Sequence, residues 1–257
     1  MTMKCTTPLI SLISTSLLIS ALGCSDASDD TTATAAVPCD AHPCDVLSSY
    51  GFFEDNLADL QPTSLVHPYS VTAELWSDDA YKERFIYLPE GNTIAFDEGE
   101  AWSYPSGAIT IKNFYYPNDG RDASKGRRLI ETRLLIKVGN TWEGHVYLWN
   151  DEQTEAYRYY AGTRVDVSYI DADGTSQDIE YVVPNTNMCQ GCHDIDNTMT
   201  TLGPFTHQLN RLVTESGSEV NQLTRLSDRS LFTDTIPAPD TLPAFADPYG
   251  DGDLNTR

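Results

Sequence analysis

Between Arg84 and Val183 apolar and aromatic runs recur between turn residues, a pattern that reads as β-strands. Candidate strands cover residues 84–88, 93–96, 108–116, 128–138, 142–149, 156–160, 164–170 and 178–183. Alternation of polar and apolar side chains is clearest in Arg164-Val165-Asp166-Val167-Ser168-Tyr169, and Asp171-Ala172-Asp173-Gly174 then supplies a hairpin turn. Further turns fall at Pro89 and at Gly139-Asn140. The series predicts an antiparallel sandwich or barrel of about 120 residues. Leu47, Leu57 and Leu60 ahead of it suit short helical or irregular structure. Behind it the period lengthens: Leu209, Leu212 and Val213 fit one helical face, and Val220, Leu223 and Leu226 fit a second, with Ser218 as N-cap. Past Ile236 the chain is rich in Pro and Asp and is expected to run over the surface. The expected fold is a β-rich N-terminal sandwich or barrel followed by a small helical segment, α+β overall.

The N-terminus reads as targeting. Lys4 precedes an apolar run over residues 8–22, shorter than a membrane span of about 20 residues. Residues 1–23 are therefore expected to be a signal peptide. Ala21-Leu22-Gly23-Cys24 resembles a bacterial lipobox, which would make Cys24 the lipidated first residue; cleavage by the ordinary signal peptidase would leave it a free thiol. Residues 24–46 are expected to be the lipoprotein tether with the Cys39/Cys44 pair; Ser25 to Pro38, rich in Ser, Thr, Ala and Asp, cannot bury enough surface to fold. The remainder divides into a β-rich domain, 47–184, and a final segment, 185–257.

Composition adds one outlier. With 40% hydrophobic residues and 10% aromatics the chain can build a core, but its formal net charge is -22, which excludes nucleic acid as a partner. Such acidity keeps an exported protein soluble and also suits docking of a basic redox partner. Export gives the six cysteines meaning. Cys5 leaves with the signal peptide and Cys24 is the lipid site. Cys39 and Cys44, five positions apart, suggest a disulfide; metal binding through Cys39, His42 and Cys44 lacks a fourth ligand.

Cys189-Gln190-Gly191-Cys192-His193 carries the chemistry. Two thiols at this spacing can add to the vinyl groups of a haem, and the adjoining imidazole then lies under the iron. From the chain's own composition the pattern should arise by chance about 0.003 times. A thioredoxin-like pair, half a zinc site and a plain disulfide are the alternatives. The first expects a βαβ setting and the second needs further Cys or His nearby. One covalent haem c is the expected cofactor.

The segments Tyr50-Gly51-Phe52-Phe53, Pro68-Tyr69, Leu75-Trp76-Ser77-Asp78, Lys82-Glu83-Arg84-Phe85, Glu131-Thr132-Arg133-Leu134-Leu135, Trp149-Asn150-Asp151-Glu152 and Tyr181-Val182-Val183-Pro184-Asn185, then the Cys189 motif and Leu209-Asn210-Arg211, occur in one order. That ordered series resembles a bacterial family of exported dihaem c-type cytochromes with a β-rich domain before the first attachment motif. The resemblance implies a haem protein of the periplasm or outer membrane, with quinoprotein dehydrogenases or other cytochromes as partners. Relatives carry a second attachment motif beyond the position of Arg257, so only one haem is assigned to this chain.

His207 is the first candidate for the sixth iron ligand, with His67, His145 and Met199 behind it, and Arg211 is a candidate partner for a haem propionate. Six-coordinate iron suits an electron carrier among exported redox proteins, which is the expected function rather than catalysis. An open iron position would suit a peroxidase or ligand sensor instead. No nucleophile-base set, phosphate loop or specific carboxylate pair points to a hydrolase.

Overall fold

The structure is a computed structural model and describes residues 42–195, 198–250 and 253. The expected signal peptide, the lipobox with Cys24, the tether and Cys39 lie outside the described residues. Cys44 is disulfide-bonded.

The chain is β-rich with antiparallel sheets. Strands β1 (Val66–Tyr69), β2 (Tyr81–Tyr87), β3 (Ile109–Pro117), β4 (Arg127–Val138), β5 (Thr141–Trp149) and β6 (Ala156–Tyr159) form one sheet in sequential order. Its edges, β1 and β6, do not pair with each other, so the sheet is open and the barrel alternative falls away. Strands β7 (Thr163–Ile170) and β8 (Ser176–Val183) form a separate hairpin. Most expected strands match. Residues 93–96 make only isolated bridges, Ile94 to Phe232 and Ala95 to Ser103. Strand β1 went unforeseen because Pro68 interrupts it; an edge strand tolerates a residue without an amide hydrogen.

Because side chains alternate along a strand, the large sheet has two distinct faces. On one, Phe85, Ile109, Ile111, Leu134, Ile136, Tyr147 and Trp149 pack with Leu47, Phe52 and Leu60 from the N-terminal stretch that holds two 3-10 turns. The other face carries two clusters. At one end Ile86, Leu135 and Trp142 pack with Leu209, Leu223, Leu226 and Phe232 from the C-terminal segment. At the other, Phe114, Tyr116 and Val146 pack with Val167, Tyr169, Tyr181 and Val183 of the β7–β8 hairpin. The chain after residue 184 thus shares a core with the sheet.

That C-terminal segment is less helical than its periodicity predicts. Cys189 ends a 3-10 turn, and α1 (Gln190–His193) leads into a two-residue-per-strand hairpin, β9 (Asp194–Ile195) and β10 (Thr198–Met199). Among the described residues the α-helices that follow are α2 (Thr206–Leu209) and α3 (Gln222–Asp228), with a hairpin of β11 (Leu212–Glu215) and β12 (Ser218–Asn221) between them and a 3-10 turn at Pro239–Thr241 after them. The expected helical face at Leu209, Leu212 and Val213 is therefore split between α2 and β11. Ser218, expected as an N-cap, lies in β12, and Asn221 caps α3 by accepting from the Leu223 amide at 2.9 Å. The reason is the turn. Ser216 (φ 49°) and Gly217 (φ 80°) both adopt the left-handed conformation that a two-residue hairpin loop demands, and β-branched Val213, Thr214 and Val220 suit the flanking strands.

Candidate functional site

The Cys189–His193 motif begins six residues after β8 ends. The Asn185 side chain accepts from the Met188 amide at 3.1 Å, starting the 3-10 turn that runs into α1. The turn and β10 pack on β5 at Gly144. A Cβ at that position would lie 3.0 Å from both Cβ and Sγ of Cys189 and 2.9 Å from Cε of Met199, so only glycine admits the motif this close to the sheet. Gly144 lies between Trp142 and Val146 on its face, which puts the motif at the junction of the two apolar clusters.

His193 is fastened at two points. Its backbone carbonyl accepts from the Thr200 amide at 2.8 Å, and its ring Nδ1 is 2.9 Å from the Thr200 carbonyl oxygen. A carbonyl can only accept, so Nδ1 bears the hydrogen and the Nε2 lone pair is left for a metal. Burial lowers the His193 pKa to about 4, and Lys112 and Arg133 push it the same way, so the ring is in the neutral, ligating form at neutral pH. Cys189 and Cys192 are free thiols, the second of them exposed. Burial raises the Cys189 thiol above its usual range, against a stabilising field from Arg133. That is the reverse of the lowered pKa of a redox-active thiolate.

The arrangement fits a covalent haem: two free sulfurs at attachment spacing, an oriented imidazole, and a glycine cradle on the sheet. Among the described residues no group of three or more His, Cys, Asp or Glu converges as a metal-ion site, so the zinc alternative gains no further ligand there. No family profile, curated protein or solved structure matches the chain.

The other expected ligands lie elsewhere. The ring of His207 stacks on Phe205 with centroids 5.8 Å apart and meets Phe245 edge-on at 4.3 Å. His145 adjoins Gly144 in β5 and therefore points to the opposite face, where its Nε2 is 3.6 Å from Glu143. His67 sits in β1 near Arg225 and Arg229, and burial lowers its pKa to about 4. Arg211 donates to the Val71 carbonyl at 2.6 Å. Of the four sixth-ligand candidates, Met199 is the one brought against the motif, on the same side of it as Gly144.

Sequence reasoning did not single out the charged residues on the sheet face beside the motif. Glu131 is fully buried; it accepts from Arg133 Nη2 at 2.5 Å and Nε at 3.0 Å and from the Tyr181 hydroxyl at 2.6 Å. The Arg133 guanidinium also lies 4.2 Å from the Phe114 ring centroid. Lys112, one strand away, is mostly buried, and desolvation with the fields of Arg84, Arg133 and Lys82 lowers its pKa to about 8. The available signal was a Lys set among the mainly apolar and aromatic residues of β3 and the Glu-Thr-Arg triplet in the next strand.

Proposed function

We propose that this chain is a monohaem c-type cytochrome lipoprotein that passes single electrons between exported redox proteins in the bacterial envelope, a relative of the exported dihaem cytochromes. The observation that carries the reading is the Cys189-x-x-Cys192-His193 spacing joined to a His193 ring whose Nδ1 is held by the Thr200 carbonyl. Cys189 and Cys192 would hold the haem by thioethers, His193 Nε2 would ligate its iron, and residues 185–257 form the haem-bearing segment. When bound, haem supplies a one-electron couple whose potential follows its ligands, burial and local charge. The chain's own part is positional. Thr200 fixes the imidazole, Gly144 lets the motif seat on the sheet, and the surrounding core limits rearrangement as charge changes. A quinoprotein dehydrogenase as donor and another cytochrome as acceptor are the partners this reading favours, with the lipid at Cys24 as anchor.

A peroxidase or ligand-sensing role is the second reading, favoured by the packing of His67, His145 and His207 away from the motif. One preparation tests both. Protein exported with haem-maturation machinery should keep a haem stain after denaturation, and Cys189→Ala with Cys192→Ala should lose it; a wild-type protein that binds zinc and no covalent haem overturns the proposal. A low-spin ferrous spectrum with slow carbon monoxide binding supports electron transfer, whereas a high-spin spectrum with rapid binding and peroxide turnover supports the second reading.

A further inference from the structure

We propose that Lys112, Arg84 and Arg133, with Lys82 beside them, form the binding site for the two propionates of the haem, an inference that rests on the attachment reading above. The cross-strand register sets Arg84 opposite Lys112 and Lys112 opposite Arg133, so three cations stand side by side on one face of β2, β3 and β4. Like charges directly opposite one another destabilise a sheet, and burial makes this worse unless anions are supplied. Two are present: Glu74 lies 3.0 Å from Arg84 and 3.6 Å from Lys82, and Glu131 lies 2.5 Å from Arg133. Among the described residues Lys112 has no ion pair; its nearest recorded partner is the Phe114 ring, 5.8 Å from its ammonium. Four cations against two carboxylates leave two positive charges over, in a chain whose net charge is -22. A dicarboxylate would balance them.

The location agrees with the count. The row crosses the middle of the sheet between the two apolar clusters, as the motif does. Lys112 acts electrostatically with Cys192 and His193, and Arg133 with Cys189 and His193. Gly144 on β5, against which Cys189 rests, is two strands across and two residues along from Lys112 on β3, about 12 Å at the usual strand spacing and rise. That is comparable to the breadth of a porphyrin from its vinyl edge to its propionate edge. Arginine offers paired donors to a carboxylate and lysine a point charge, so the row can take two carboxylates at once.

The test separates this inference from the attachment reading. The haem stain of exported wild-type protein decides attachment. The propionate site is read in the full chain carrying Cys189→Ala and Cys192→Ala, titrated by visible absorbance with ferric protoporphyrin IX and with its dimethyl ester. The diacid should bind at least about ten-fold tighter than the diester, a difference of about 1.4 kcal/mol. Adding Lys112→Met should remove most of that preference, and Lys112→Arg should keep it. Methionine retains the apolar stem and removes an unpaired charge, so the variant should fold, which its denaturant midpoint checks; the acid-to-ester comparison in the double-alanine chain needs no Lys112 variant. Equal affinity for the two porphyrins, or failure of the diacid to bind, overturns the proposal even when the wild type carries covalent haem.

Discussion

At the scale of single residues, two positions bear on how the motif is held and how the fold responds to acid. A methyl group at Gly144 would press on Cys189 and Met199 from a central strand that cannot retreat. Gly144→Ala should therefore cost about 1–3 kcal/mol in a urea melt and lower the yield of covalent haem per protein. An unchanged stain-to-protein ratio would show that the motif does not need this seat. His67 contributes to the pH dependence together with His193, whose pKa burial also lowers to about 4. The His67 pKa falls to about 4 through burial first and Arg229 and Arg225 next, while the unfolded value stays near 6.5. Between those limits the unfolded chain takes up a proton that the folded chain refuses, so stability is full above about pH 6.5 and is lost as pH falls toward 4. Comparing urea midpoints at about pH 7 and about pH 4.5 should show a smaller difference in His67→Gln than in wild type.

Among the elements, the C-terminal hairpin is where local pattern and structure part company. Leucines and valines at helical spacing between residues 209 and 226 are consistent with two helices, yet β11 and β12 lie between α2 and α3. A short apolar run satisfies either period, and the arbiter is the Ser216-Gly217 turn, whose positive φ values a helix cannot use. Gly217→Ala should destabilise the protein by about 1 kcal/mol, because a Cβ disfavours the left-handed region. Thermal melts would check it. A gain in stability, as expected for an alanine inside a helix, would contradict the hairpin.

The molecule as a whole is strongly acidic, and its cationic row is an inward-facing exception. If it exchanges electrons with a basic cytochrome, the second-order rate should fall several-fold as ionic strength rises from about 0.01 M to about 0.15 M, where the screening length shortens from about 30 Å to about 8 Å. Stopped-flow absorbance measures this, and a salt-independent rate would remove the docking role of the acidic surface. Anchoring is a separate property. Cys24→Ser should shift the protein from the membrane fraction to the soluble exported fraction, since acyl chains alone would hold it. Among the described residues no helix is long and apolar enough to cross a membrane.

Sequence alone determined what depends on near neighbours. The strands β2 to β8 were legible because apolar and aromatic runs between turn residues are a local property, and the Cys189-x-x-Cys192-His193 spacing because it lies within five consecutive residues. Tertiary structure decided whatever depends on register between distant strands. Residues 84, 112 and 133 become neighbours only once β2, β3 and β4 pair, and a one-residue slip would send each side chain to the opposite face. The same rule turned His145 away from the motif while its neighbour Gly144 received it. Thr200 could not be paired with His193 in advance either, because that bond exists only where the pairing of β10 with β9 brings the Thr200 carbonyl to the ring Nδ1.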